Sequence, residues 1–280
     1  MPAKRADQDI GSRTGDRERV RECIDLLEGV YGLPKRRGLG PVDQLVQTIL
    51  SQNTTSPNTH RAFENLKRRF PDYQALLDAP DQEVSPLIRC GGLANIKTRR
   101  IKETLEKIRE IGDEREIGEG RVSGEERETG EERVSGEERV SGEEMGMKGG
   151  IERARKAGFI NLDFLKGMDP EEARDLLVSL PGVGPKTAAV VLLFSFNMPF
   201  LPVDTHVNRL SRRLGLVPEG ASIDEAERIL EKITPRDKYC SFHVNLIRHG
   251  RAICRARSPS CKECVMREIC PSRDLVGQKG

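Results

Sequence analysis

Residues 178–187 read VSLPGVGPKT, two glycines ahead of a lysine and a threonine, and the fold turns on what kind of hairpin this is. A nucleotide-binding phosphate loop needs Gly-x4-Gly-Lys-Ser/Thr, entered from a strand and leaving into a helix. Here Pro185 stands between Gly184 and Lys186, one residue separates the glycines, and the preceding EEARDLLVSL is patterned as a helix. Spacing and context both exclude the nucleotide loop. What fits is helix, tight turn, helix. Gly182 and Gly184 are expected to take torsions closed to other residues and to leave no side chain before an approaching phosphate. Pro185 then opens a second helix whose free N–H groups and dipole favour an anion. Such a turn grips one backbone phosphate without reading sequence, with Leu180, Gly182, Val183 and Gly184 as the expected contacts. Lys186 reads two ways, as a phosphate counter-charge or as a nucleophile. Its place in the first helical turn favours the neutral amine, because the positive end of the helix dipole lowers its pKa.

Outward from the hairpin the pattern stays helical. Asp169-Pro170-Glu171-Glu172 gives an N-cap, a proline in the first helical position and a capping-box Glu. KTAAVVLLFSF is apolar nearly all round, which predicts a buried central helix. Further helices are expected at 206–214, 223–233 and 239–253. Upstream, helical spacing begins near VRECIDLLEGVY, after about eighteen polar residues expected to be flexible. PVDQLVQTILSQNTTSPNTHRAFENLKRRF gives two helices around a polar turn, and short helices punctuated by Pro80, Pro86 and Gly91-Gly92 follow. No alternating strand pattern competes, so the chain reads as all-α.

The 280 residues are enough for one large domain or two small ones. With 4% aromatic residues and no Trp, the core is aliphatic. No apolar run approaches the roughly 20 residues of a membrane helix, and MPAKRADQD has no signal-peptide stretch, so the expectation is a cytoplasmic protein without a membrane partner. Residues 112–150 carry thirteen Asp/Glu against six Lys/Arg, which leaves the rest of the chain at +9, suited to nucleic acid. Within that span VSGEER, ETGEER, VSGEER and VSGEEM form a six-residue repeat, each copy with a Gly and few large apolar groups. It is expected to be a disordered insertion, a low-complexity expansion or less plainly a partner-binding segment.

Four of the seven cysteines, Cys254, Cys261, Cys264 and Cys270, fall within seventeen residues as C-x6-C-x2-C-x5-C, so one loop can wrap a compact metal cofactor. Cys23, Cys90 and Cys240 read as small core residues. Eighteen residues beyond Lys186 lies PVDTHVNRL, where Asp204 precedes a helix and is at least an N-cap.

LPGVGPKTA, then VDTH, then the four cysteines together resemble the helix-hairpin-helix DNA glycosylases of the endonuclease III family. The resemblance runs from about Pro41 to Cys270, interrupted by the insertion, and includes PVDQLVQTILSQNTT, GGLANIKTRRI and HVNLIRHGRAIC in order. It implies two helical lobes. One is a six-helix barrel of residues 34–198 with its hairpin at 180–187. The other is an iron–sulfur lobe of residues 199–280, packed with segment 1–33. A DNA cleft is expected between them, with Lys186 on one side and Asp204 on the other. The resemblance also implies a [4Fe–4S] cluster on the four cysteines, with zinc as runner-up. Arg255 and Arg257 match a loop that touches DNA phosphates, and Lys97 falls in GGLANIK, a segment expected at the DNA. Leu93 matches an apolar wedge, though it also reads as an ordinary core leucine. Asn53 stands where typical members have Gln and Ser56 where they have Asp, departures at positions that bear on opposite-base recognition and lesion choice.

The chemistry implied is base excision repair acting on duplex DNA as a monomer without an obligate protein partner. A flipped nucleotide exposes C1′. Lys186 attacks it, the base leaves, and β-elimination from the Schiff base cuts 3′ of the abasic site. Asp204 stabilises cationic sugar or helps deprotonate the lysine. Adenine glycosylases of the family lack this lysine, so the expectation is a bifunctional glycosylase and AP lyase for oxidised pyrimidines. A mismatch thymine or uracil glycosylase and a non-catalytic DNA-binding protein are the alternatives.

Overall fold

A computed structural model describes residues 14–35, 38–122 and 160–273, and every regular element among them is helical. The α-helices are α1 (Thr14–Tyr31), α2 (Pro41–Ser51), α3 (Ser56–Arg69), α4 (Tyr73–Asp78), α5 (Asp81–Leu87) and α6 (Ala94–Val122). They continue with α7 (Pro170–Ser179), α8 (Pro185–Phe196), α9 (Thr205–Arg213), α10 (Ile223–Ile233) and α11 (Tyr239–Ala252). No described helix is long and apolar enough to cross a membrane.

The described residues fall into two compact units, one made of those within Met1–Gly40, Met168–Val178 and Gly184–Gly280, the other of those within Pro41–Gly167 and Ser179–Val183. This partition departs from the expected boundary at residue 198. Burial explains the departure. Helix α8 is apolar on all sides, with Thr187 through Leu193 buried, and its Leu193 packs into the aliphatic core that α1 supplies with Val20, Cys23, Ile24 and Leu27. That core continues through Val207 and Leu210 of α9, Leu230 of α10 and Leu246 of α11. Helix α7 is capped as its sequence predicts, the Asp169 carboxylate accepting from the Glu171 amide at 2.9 Å. An Arg174–Glu227 ion pair at 3.0 Å ties α7 to α10.

In the other unit α6 packs along α2, α4 and α5. Ile101, Leu105 and Ile108 on α6 are buried, as are Leu45, Ile49, Leu66, Leu76 and Val84 on the shorter helices.

Three local expectations are corrected. Helix α1 begins at Thr14, so residues 14–18 belong to a helix rather than a flexible tail. Pro86 lies inside α5 near its end instead of breaking it. Helix α6 runs to Val122, so the stretch from 112 that reads as disordered continues a helix for another turn or more. The Arg115 guanidinium sits 4.5 Å over the Phe164 ring, a contact that holds this extension. The six-residue repeat from 123 onward lies outside the described residues.

Candidate functional site

The hairpin turns on Gly182, whose φ of +75° is open to glycine and strained for other residues. A Cβ there would also meet the Arg100 side chain at 3.1 Å. The Val183 amide donates to Leu180 O at 3.1 Å and closes the turn. The expectation for Gly184 needs correcting. Its φ is −97°, which any residue adopts, and a Cβ there would meet nothing within 4 Å. What remains for Gly184 is the absence of a side chain in front of the first-turn amides of α8. Leu180 and Val183 are 2% and 5% exposed, so any phosphate contact from these two comes from backbone alone. Residues missed in sequence hold the turn from behind. Thr104 Oγ1 donates to Pro181 O at 2.6 Å, and Gln52 Nε2 reaches Gly182 O at 3.5 Å.

Lys186 occupies the second position of α8, directly after Pro185, and is partly buried. Asp204 is the N-cap of α9, its Oδ1 accepting from the His206 and Val207 amides at 2.9 and 2.8 Å. The two belong to one unit, not to separate lobes, because α8 is buried in the core that α9 also builds. Burial is the main cause that lowers the Lys186 pKa, and Arg251 lowers it further, while Asp204 opposes by stabilising the ammonium. Desolvation thus acts in the same direction as the helix dipole. The Asp204 carboxylate favours the protonated lysine, which suits a group that takes the proton or meets a cationic sugar.

His243 of α11 lies buried beneath this pair. Its Nδ1 is 2.8 Å from Pro202 O and its ring meets Phe194 edge-on, with centroids 5.9 Å apart. Burial pushes it down to about 4, with Asp204 and Lys186 acting in opposite directions, so the ring is neutral and Nδ1–H donates to Pro202 O, two residues ahead of Asp204. No spacing in the sequence marks His243 or Arg251, which reach the pair from α11.

The four cysteines line one cavity together with Arg213 and Ile253. Burial pushes Cys264 up to about 11 and Cys270 upward, and the charge that neighbouring thiols would carry adds to the rise for each. Thiols gathered around one cavity ionise when a cation compensates them, which is the donor chemistry of a metal centre. Among the described residues no three His, Cys, Asp or Glu side chains converge on a single-ion position. Polar partners surround the sulfurs. Arg213 Nη1 lies 3.3 Å from Cys254 Sγ, and His249 Nε2 is 3.3 Å from Cys264 Sγ, with the other ring nitrogen 3.1 Å from the Tyr31 hydroxyl. Arg209 connects this loop to the helix capped by Asp204, donating to Cys254 O and Gly250 O at 2.9 Å each. Gly250 has no room for a Cβ, which would stand 2.9 Å from His206 Nδ1. Arg255 and Arg257 are exposed on the loop, whose carbonyls at 255 and 256 accept from Arg213.

In the second unit, Asn53 and Leu93 are both exposed and both left-handed, with φ of +54° and +52°. A left-handed leucine costs about 1–2 kcal/mol, and at 52% exposure burial does not offset it. Leu93 is therefore not a core residue. Lys97 departs from expectation in the other direction. It is 1% exposed and its Nζ donates to Leu50 O and Gly91 O at 2.7 and 2.8 Å, so it presents no charge to DNA.

The model of the HhH-GPD superfamily base excision DNA repair protein matches residues 46–236 of this chain. The chain is 33% identical over 233 residues to Endonuclease III of Synechocystis sp., spanning 83% of this chain and 81% of that relative. It is 29% identical over 230 residues to Endonuclease III of Thermotoga maritima, spanning 82% of each. Among solved structures it is similar to a non-covalent Endonuclease III–DNA complex, with a TM-score of 0.66 at 24% identity over 94% of this chain and 99% of the other. A thermostable thymine-DNA glycosylase has a TM-score of 0.63 at 17% identity over 92% of this chain and 98% of its own. At such identities the structural likeness speaks for the all-helical fold.

Proposed function

The chain belongs to the HhH-GPD superfamily of base excision DNA repair proteins, and from that premise we propose that it is a bifunctional DNA glycosylase and abasic-site lyase for oxidised pyrimidines in duplex DNA. The observation that carries this reading is the pairing of a desolvated Lys186 amine with the fixed Asp204 carboxylate. A DNA-binding module gains nothing from a lysine held toward its neutral form.

The flipped nucleotide offers C1′ to Lys186. The amine forms a C1′–N bond as the bond to the base breaks, and the base leaves with the electron pair and gains a proton. Asp204 Oδ1 is committed to two amides, so we assign Oδ2 to the cationic sugar or to the proton the amine loses. The C1′–O4′ bond then breaks, O4′ takes a proton as the sugar ring opens, and the resulting Schiff base acidifies C2′. Loss of that proton expels the 3′ phosphate and cuts the strand.

Exposed Gly182 and Gly184 and the first turn of α8 take one phosphate through backbone N–H groups. Arg255 and Arg257 neutralise others from the cysteine loop. Leu93 fills the gap left by the flipped base, and Asn53 faces the opposite strand. Cys254, Cys261, Cys264 and Cys270 would hold a [4Fe–4S] cluster, a reading supported by four thiols that line one cavity within a single loop. Bound there, the cluster would cross-link the loop.

A panel of duplexes tests the function, each with one thymine glycol, dihydrouracil, G·T or G·U pair. Wild type is expected to nick at oxidised pyrimidines and Lys186→Ala is not. Thymine excision from G·T with oxidised pyrimidines untouched would overturn the substrate, and DNA binding without excision would overturn the enzyme.

A further inference from the structure

Lys97 is a buried ammonium whose bonds among the described residues go to carbonyls instead of carboxylates. The two carbonyls belong to two different loops. Nζ donates to Leu50 O in the last turn of α2 and to Gly91 O at the end of the short 3-10 turn Arg89–Gly91. The backbone amide of Lys97 donates to Leu93 O at 2.9 Å. Three residues after Leu50 comes Asn53, and two after Gly91 comes Leu93. These are the two exposed, left-handed side chains of this unit.

A lysine that only balanced the negative end of α2 would need the bond to Leu50 and no other. A lysine kept for DNA phosphates would be at the surface. The point-like ammonium, with three donors, is the side-chain group that can join carbonyls from two loops at one centre. Other bonds hold each loop to its own surroundings, Arg100 to Gln52 at 3.2 Å on one side and the Gly91 and Gly92 amides to Ile88 O and Arg89 O on the other, whereas Lys97 Nζ bonds to both. Gly92, between Gly91 and Leu93, has a φ of +70° and open space around it. A strained exposed leucine persists when its surroundings over-determine it, and the Lys97 side chain fixes Gly91 O two residues before it while the first turn of α6 fixes its own carbonyl.

We propose that Lys97 is a positioning residue that locks the Asn53 and Leu93 loops into one preformed probe, so that both enter the DNA stack together when a base leaves it. This rests on the glycosylase reading for its DNA step, while the locking of the loops stands independently. Preformed loops spare the complex the ordering cost at the moment of insertion. The role separates two steps of the reaction. Insertion depends on Lys97, and the attack of Lys186 on a site that has already lost its base does not.

Lys97→Met keeps the length and removes the donors. Excision of thymine glycol is expected to fall about 100-fold, while borohydride trapping on a preformed abasic duplex falls less than about threefold. A 2-aminopurine opposite a tetrahydrofuran abasic analogue is expected to lose most of its fluorescence response to the variant at saturating protein. Amide exchange is expected to quicken in 51–53 and 91–93 together, with α3 and α5 unchanged. Lys97→Gln, which retains donors, is expected to recover part of each readout. Wild-type exchange and an undiminished 2-aminopurine response in a folded Lys97→Met protein would overturn the proposal. So would global unfolding of both variants, which would make Lys97 a stability residue. If wild type neither excises nor traps, the enzymatic reading fails, while the exchange pattern still decides whether Lys97 couples the loops.

Discussion

In the unit that carries Lys186, the groups that matter are withdrawn from water, whereas in the unit that carries Leu93 the group that matters is pushed into it. Lys186 and His243 are both shifted by burial toward their neutral forms. Leu93 is half exposed in a strained conformation, held by a lysine that is itself buried. Each arrangement spends stability, and each does so where a different step of base excision needs it. Chemistry at C1′ needs an uncharged amine in a dry setting. Opening the duplex needs an apolar group ready outside.

The sharpest way to break this contrast is to damage one unit and watch the other. Replacing Cys261 with Ser, or stripping iron with a chelator, is expected to unfold the loop between Cys254 and Cys270 and to loosen α9 through the lost Arg209 bonds to Cys254 O. Hydrogen exchange read with iron content checks this. Exchange in α2 through α6 is expected to stay slow. A zinc content of one ion per chain with no iron would overturn the cluster.

Asp204 offers a finer separation of stability from chemistry. Asn caps a helix about as well as Asp, so Asp204→Asn is expected to change unfolding free energy by less than about 0.5 kcal/mol. Its single-turnover excision rate is expected to fall about 100-fold. Asp204→Ala is expected to lose about 1 kcal/mol of stability in addition. A fully active Asp204→Asn protein would reduce Asp204 to a cap.

The smallest effect concerns pH. Schiff-base formation is expected to rise with pH through a midpoint below the ordinary lysine value of 10.5, since burial lowers the Lys186 pKa. Arg251 also lowers it, so Arg251→Ala is expected to move the midpoint to higher pH and slow trapping at pH 7 by about tenfold or less. A midpoint that moves to lower pH would contradict the electrostatic account.

How much of this was legible in the sequence differs between the units in the same way. The hairpin, the apolar run of α8, the Asp169 and Asp204 caps and the cysteine loop are all local patterns, and local patterns survive in sequence. Lys97 is the opposite case. NIKTRRIK looks like a solvated face of a basic helix, and nothing in its composition tells that one lysine turns inward to carbonyls from two other segments. HVNLIRHGRAIC is legible as a segment, but the roles of His243 and Arg251 in it are not, since their partners lie some 40 to 65 residues away. The start of α1 is hidden because TGDRE has no apolar periodicity, and the length of α6 because the high charge, scarce large apolar groups and repeated glycines of 112–150 read as disorder. Glycine lowers helix stability by only about 1 kcal/mol, which neighbouring packing such as Arg115 on Phe164 can outweigh. The torsion of Gly184 shows the reverse error, a glycine expected to be strained that is not.

The central claim is that Lys186 is the nucleophile. Wild-type protein reduced with borohydride on an abasic duplex, digested and mapped by mass spectrometry, tests it most directly. The account predicts a deoxyribose-derived adduct on the peptide containing Lys186 and none in Lys186→Ala. An adduct on another lysine, or no adduct in wild type, would contradict it.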